Sequence, residues 1–185
     1  MRIVAGKFRG RRLQAPRDQS IRPTTDRNRE SLFNVLSHNW PEHLRGKVLD
    51  VFAGTGALGL EALSRGSSHC VFVEKNRQGL SLIEEHVASF GLADQARIVR
   101  ADATRPGVAD PWAPFDLIFA DPPYGRGLGE KAMAALAEKG WFAKGAIIVL
   151  EEKRGCLPDA STRFEKLDQR DSGDTSIGIY KYVTG

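Results

Sequence analysis

A chain of 185 residues that is 41% hydrophobic and 27% charged has the composition of a soluble globular protein with a sizeable core, which excludes an intrinsically disordered segment. No apolar run approaches the ~20 residues of a membrane span, and residues 1–7 lack the apolar stretch of a secretory signal. Two cysteines far apart and four scattered histidines supply neither a disulfide framework nor a metal-ligand spacing. The expectation is a cytoplasmic protein of one domain, with no metal and no membrane partner.

The net charge of +4 is unevenly distributed. Residues 1–29 carry nine Lys or Arg (Arg2, Lys7, Arg9, Arg11, Arg12, Arg17, Arg22, Arg27 and Arg29) against Asp18 and Asp26, a local +7 that leaves −3 for the remainder. A basic arm on a slightly acidic body points to a polyanionic partner, nucleic acid above all. A solvated tail is the plainer alternative. Ile3, Val4, Phe8 and Leu13 recur around Gly6 and Gly10, which reads as a short β-hairpin. Residues 1–25 are therefore read as an appendage and 26–185 as the principal domain. Thr25 or Asp26 caps a helix that buries Leu32, Val35 and Leu36 and ends near Trp40-Pro41. Arg27 and Arg29 are expected on the exposed side of its first turn, a placement suited to phosphate contacts.

Residues 47–53 read as a buried strand running into Gly54-Thr55-Gly56-Ala57-Leu58-Gly59 and then a helix, the context in which GxGxxG has meaning. Glycine lets the backbone approach a ligand, and the helix start offers amide donors. A second strand, 70–74, ends on Glu74, 18 residues beyond Gly56, about where dinucleotide folds place the acid that binds ribose. An adenosine-type ligand follows, and NAD stays open at this point. An amphipathic helix over 76–91 buries Leu80, Ile83, Val87 and Phe90. A strand at 96–100 leads to Asp102, which either faces the ligand crevice or caps a helix.

The apolar run 115–120 is another parallel strand. It delivers Asp121-Pro122-Pro123-Tyr124 to the carboxyl edge of the sheet, where open α/β sheets bind ligands. The two prolines fix φ and remove two amide donors. A carboxylate, the Pro122 carbonyl and an aromatic face thus share one stiff turn, fit to hold a planar group bearing an amine. An ordinary strand-ending turn is the bland alternative. Glycines at 125, 127 and 129, a helix carrying Met133, Leu136 and Ala137, and a strand at 146–151 follow. Residues 163–167 and 175–183 alternate with period two around 172–174, a closing β-hairpin where a nicotinamide-binding fold would more often continue with βαβ.

Taken together, Asp50-x-Phe52-Ala53-Gly54-Thr55-Gly56, Glu74, Asp102 and Asp121-Pro122-Pro123-Tyr124 resemble an S-adenosylmethionine-dependent methyltransferase acting on exocyclic amines. The arm narrows the resemblance. Arg2 to Gly6, Arg9 to Leu13, Arg22 to Asp26 and Arg29 to Asn34 resemble the RsmD family, bacterial enzymes that methylate the N2 amine of one guanine in 16S rRNA. The resemblance covers nearly the whole chain. Ala5 stands where a glycine is usual, and Asn28 where a small apolar residue is usual.

The resemblance implies an α/β, Rossmann-like class I methyltransferase sheet, mostly parallel with a C-terminal antiparallel hairpin, plus the N-terminal hairpin arm. It implies that Asp50, Phe52, Gly54, Gly56, Glu74, Lys75, Asp102 and Ala103 bind S-adenosyl-L-methionine. Asp50 would lie near its amino group, Glu74 on the ribose, and Asp102 on the adenine. Asp121 and the Pro122 carbonyl would hold the target amine, with Tyr124 stacking on a flipped base. Arg2, Lys7, Arg9, Arg11, Arg12, Arg22, Arg27 and Arg29 would contact RNA. The amine's lone pair is delocalised into the ring, so two acceptors that orient it, and positioning generally, would carry catalysis. The chain has no room for a separate recognition domain, which suits a substrate of fixed shape: 16S rRNA within an assembled or assembling small ribosomal subunit, met by a monomer. Adenine-N6 methylation of RNA or DNA, a non-catalytic RNA-binding or assembly factor, and, more remotely, an NAD oxidoreductase are the alternatives.

Overall fold

The computed structural model describes residues 1–15 and 26–183. Its elements run α1 (Asp26–Asn39), α2 (Pro41–Arg45), β1 (Lys47–Val51), α3 (Ala57–Ser64), β2 (His69–Glu74), α4 (Arg77–Phe90), β3 (Ala96–Arg100), β4 (Phe115–Ala120), α5 (Leu128–Glu138), β5 (Phe142–Lys153), β6 (Phe164–Ser172) and β7 (Thr175–Tyr182). The strands form one sheet in the order β3-β2-β1-β4-β5-β7-β6. β1 pairs in parallel with both β2 and β4, and β4 with β5, whereas β7 lies antiparallel between β5 and β6. This is the mostly parallel sheet with a terminal antiparallel hairpin that the sequence led us to expect. The chain leaves β1 toward one edge and returns beyond it at β4. That reversal opens a crevice at the carboxyl ends of β1 and β4.

Apolar side chains of alternating strand residues feed two cores, one on each face of the sheet. Val48, Phe72, Phe119 and Val149 share one face with Leu32, Phe33 and Leu36 of α1, Leu60 and Leu63 of α3, and Ile83, Val87 and Phe90 of α4. Leu49, Val71, Ile118 and Ile148 share the other with Ala132, Met133 and Leu136 of α5 and with Trp141. Strands buried on both faces need near-continuous apolar sequence, which β1, β2 and β4 have.

The arm departs from the expected hairpin. Its two ends do run antiparallel, with Ile3 N–H donating to Arg11 O, Gly10 N–H to Ile3 O and Leu13 N–H to Met1 O. Ladder pairing, however, is limited to a bridge between Arg2 and Arg12. Gly6 (φ +82°) and Gly10 (φ +83°) turn the chain too often for a ribbon. Neighbouring side chains take donors that a partner strand would have used. Val4 N–H and Ala5 N–H donate to the Glu61 carboxylate at 2.8 and 3.0 Å, and Phe8 N–H donates to Ser64 Oγ at 2.9 Å. Ile3, Phe8 and Leu13 are buried in the α1/α3/α4 core.

Arg29 requires a correction. It was expected on the exposed side of α1 among the phosphate-binding cations, and it is fully buried. The reason is its spacing: Arg29, Leu32, Phe33 and Leu36 occupy i, i+3, i+4 and i+7 and form the buried stripe of the helix. Its guanidinium meets Asp26 Oδ1 at 2.9 Å and Glu61 Oε2 at 3.6 Å, and donates to the Arg2 carbonyl. Glu61, equally buried, also accepts from Arg65 Nε at 2.8 Å. Arg17, Arg22 and Thr25 lie outside the described residues. The short helix α2 was not anticipated, and β5 begins earlier than expected because Phe142 already pairs with Phe115 before a register shift.

Removing one member of a buried ion pair strands the other, at about 3 kcal/mol or more. Glu61→Ala is therefore expected to lower the unfolding free energy by about that amount, because it removes one of the two acids that face Arg29 and leaves two arm amides without their acceptor. Denaturant unfolding measures it. A loss below about 1 kcal/mol would show that water reaches Arg29 readily.

Candidate active site

A cavity of about 410 Å³ opens at the carboxyl ends of β1, β2 and β4. Asp50, Phe52, Gly54, Thr55, Glu74, Lys75, Ala101, Ala103, Asp121, Pro122, Pro123 and Tyr124 are among its lining residues, as is Met1 from the arm. Nine of the residues singled out for donor binding or chemistry thus meet in one place: Asp50, Phe52, Gly54, Glu74, Lys75, Ala103, Asp121, Pro122 and Tyr124.

The glycine turn is held from outside. Phe52 (φ 57°), Gly54 (φ 55°) and Gly56 (φ 76°) are left-handed, a conformation that a phenylalanine adopts only where its surroundings enforce it. Glu74 contributes to that enforcement. One carboxylate oxygen accepts Gly54 N–H at 2.8 Å, and the other accepts Lys75 N–H at 2.8 Å and Asn76 N–H at 2.7 Å. The start of α4 packs close above. A Cβ on Gly79 would lie 2.8 Å from the Gly54 carbonyl oxygen and 2.9 Å from Glu74 Cγ. His86 reaches the same turn. Its Nδ1 donates to Thr55 O at 3.1 Å and its Nε2 accepts Gln14 N–H at 2.8 Å, so the neutral ring joins the arm to the turn. Burial pushes its pKa down, in keeping with that tautomer.

Two expected donor contacts are not in the cavity wall. Gly56 is the N-cap of α3, and a Cβ there would press on Ile83 and Phe72, so its importance is to the backbone. Asp102 folds back to accept Thr104 N–H at 3.0 Å and Thr104 Oγ1–H at 2.7 Å, bonds that hold its carboxyl below the usual range, with Lys75 Nζ 3.6 Å away.

The carboxylates at the cavity floor are crowded. Asp50 accepts Gly59 N–H at 2.9 Å, yet burial, reinforced by the charge of Glu74, raises its pKa to about 8. Asp121 is raised well above the ordinary carboxylate value by burial first, then by Glu151, Asp50 and Glu152. Glu151 and Glu152 were missed in the sequence. Tyr124 Oη donates to Glu151 Oε1 at 2.6 Å. Gly125 N–H donates to Glu152 Oε1 at 2.8 Å, as does Lys153 N–H. The available signal was the Glu-Glu pair closing a strand next to the one that delivers Asp121.

Of the proposed RNA contacts, Arg2, Lys7, Arg9, Arg11 and Arg12 are exposed on the arm, whereas Arg29 is not. Arg11 lies over the rings of Phe8 and Phe90, at 5.5 and 5.0 Å, and donates to Ser89 O. Arg2 faces Asp26 at 3.5 Å. Arg27 lines a second, open groove with Asn34, His38 and Arg170. No helix among the described residues is long and apolar enough to cross a membrane.

Sheet order, glycine turn and a crevice at the strand ends define a Rossmann-like class I methyltransferase. The chain belongs to the RsmD family, described as conserved hypothetical protein 95, which matches residues 1–181. It is 36% identical over 182 residues to the ribosomal RNA small subunit methyltransferase D of Escherichia coli (strain K12), covering 98% of this chain and 89% of that protein. The Haemophilus influenzae protein of the same name is 31% identical, with 98% and 93% covered. Among solved structures, yhhF of Escherichia coli, a candidate methyltransferase, superposes with a TM-score of 0.84 at 34% identity, covering 99% of this chain and 98% of that one. A hypothetical protein of Thermus thermophilus gives 0.74 at 33%, covering 97% and 98%. Family and fold together imply a methyl donor of the S-adenosylmethionine type.

A carboxyl with a folded pKa near 8 and an ordinary value of 3.8 keeps its proton after the unfolded chain has lost it. Stability therefore falls as pH rises from about 4 to about 8 and levels off above. Asp50→Asn removes that component. Its unfolding free energy should gain on the wild type across this window, by at most about 1.4 kcal/mol per pH unit. A constant gap between the two would mean that Asp50 is ionised in the folded protein.

Proposed function

We propose that this protein transfers a methyl group from S-adenosyl-L-methionine to the exocyclic N2 amine of a guanine in 16S rRNA. The observation that carries this reading is that the Asp121-Pro122-Pro123-Tyr124 turn and the Glu74-fastened glycine turn line one cavity. The residues present fit the donor. Its ammonium and sulfonium charges suit a floor of buried carboxyls, and Asp50 would face the ammonium. Glu74 spends three of its about four acceptor positions on the amides of Gly54, Lys75 and Asn76 and keeps about one for a ribose hydroxyl. Phe52 and the wall at Ala101 and Ala103 would hold the adenine, with the Ala103 backbone giving polar contact and Asp102 shaping its own turn. Bound there, S-adenosylmethionine supplies an electrophilic methyl group.

The chain's part is to present the amine. Asp121 and the Pro122 carbonyl are two acceptors on one stiff turn, so they fix the orientation of the amine hydrogens and with it the direction of the lone pair. Tyr124 offers its ring for stacking, and the proton released after transfer goes to water or to Asp121 once the cationic donor beside it has favoured its ionised form. Residues 1–25 serve as the RNA-binding part and 26–185 as the catalytic unit, the arm's apolar side chains belonging to the core and its cations to the substrate. Arg2, Lys7, Arg9, Arg11, Arg12 and Arg27 would meet phosphates, and Arg22 extends the same run. Relatives named for ribosomal RNA small subunit methylation support this substrate. We read the protein as a cytoplasmic monomer acting on an assembled or assembling small subunit.

Small subunits from cells lacking this protein, incubated with it and with methyl-labelled donor, should yield label as N2-methylguanosine on digestion. Asp121→Ala should lower the rate about 100-fold or more, a loss well beyond any change in donor affinity. Label as N6-methyladenosine, or none in rRNA, would overturn the reading.

A further inference from the structure

The strand alternation that aims Asp121 at the cavity floor places a second carboxylate beside it. Phe119 of β4 pairs in register with Val149 of β5, and both side chains belong to the same core. Two residues farther along each strand path, and so directed to that same face, come Asp121 and Glu151. Glu151 Oε1 accepts the Tyr124 hydroxyl at 2.6 Å, which ties it to the aromatic ring proposed to stack on the base. A carboxylate has about four acceptor positions; among the described residues, Tyr124 is the one group that donates to this one.

The two purines differ where this matters. In guanine the N2 amine adjoins N1–H, a donor. In adenine the N6 amine adjoins N1 with a lone pair, an acceptor. A carboxylate next to the group that holds the amine pairs with the first and repels the second. We propose that Glu151 is a specificity-determining residue, accepting guanine N1–H while Asp121 and the Pro122 carbonyl hold N2. This rests on the guanine-N2 reading above and deepens it. It also accounts for a second acid at a site where one suffices to hold an amine.

The test uses 2-aminopurine, which keeps the 2-amino group and has a bare N1, placed at the methylated position of a reassembled small subunit. The wild type should be about tenfold or more less efficient, by kcat/KM, on 2-aminopurine than on guanine. Glu151→Gln, whose amide can donate to a bare N1, should narrow that ratio. Glu151→Ala should narrow it too, by losing more rate on guanine than on 2-aminopurine, with the loss common to both bases reporting the freed Tyr124 hydroxyl. Donor affinity and melting temperature, measured on both variants, separate recognition from folding. Equal wild-type efficiencies on the two bases would overturn the role of Glu151 without any variant. So would a ratio that neither variant changes. A wild type that leaves guanine N2 unmethylated would instead sink the functional reading, and this inference with it.

Discussion

The parallel register of β1, β4 and β5 is the constraint on which the site depends. Asp50 pairs with Phe119 and Phe119 with Val149, so one row of positions crosses three strands at the same height. That row carries an acid on β1, and two residues beyond it come an acid from the end of β4 and another from β5. Sheet register thus brings Asp50 and Asp121 to the cavity and sets Glu151 beside Asp121, bonded to Tyr124 of the cavity wall. Burial first, and then nearby acids (Glu74 for Asp50; Glu151, Asp50 and Glu152 for Asp121), raise the pKa values of Asp50 and Asp121. A site built so is poorly matched to a neutral ligand and well matched to a cationic one. The positive charge of the proposed donor and the crowded acids of the floor are complementary.

Another buried acid, Glu61, organises the far part of α3. Glu61 is buried with Arg29 and spends its oxygens on two arm amides, on Arg29 and on Arg65. The arm therefore docks through its backbone, which leaves its cationic side chains for solvent and for a partner. Apolar Ile3, Phe8 and Leu13 point inward, and Arg9 and Arg12 outward. His86 then connects Gln14 of this arm to Thr55 of the cavity. The arm and the cavity are thus joined by hydrogen bonds, and Met1 itself borders the cavity.

Much of this was legible in the sequence where the signals are local. The strands over 96–100 and 115–120 have the expected bounds: the second is an apolar run between turn residues, and the first sets Ile98-Val99 between two arginines just before a turn. The helix expected over 76–91 is flanked as its ends predict: Asn76 accepts Gln78 N–H as N-cap, and Gly91 is left-handed at the C-terminus. What escaped was non-local. A charged residue on a buried stripe looks like a surface arginine until Glu61, distant in sequence, is seen beside it. Asp102, just past a strand end, reads equally as facing the ligand or as a cap, and the choice rests on Thr104, two residues on, which bonds to its carboxylate. Glu151 and Glu152 acquire meaning only from the β4–β5 register, which no single-strand pattern contains.

The Asp121 turn depends on its neighbours in the same way. Prolines at 122 and 123 make it stiff and also strip it of donors, so the turn cannot fasten itself by its own amides. Its anchorage comes from the neighbouring strand. Glu152 takes the Gly125 amide just past the turn, and Glu151 takes the Tyr124 hydroxyl at its end. Stiffness without anchorage would leave the acceptors well oriented relative to each other and poorly oriented relative to the donor. The two acids of β5 supply the missing reference, and they tie the presentation of an amine to the sheet that also holds the glycine turn.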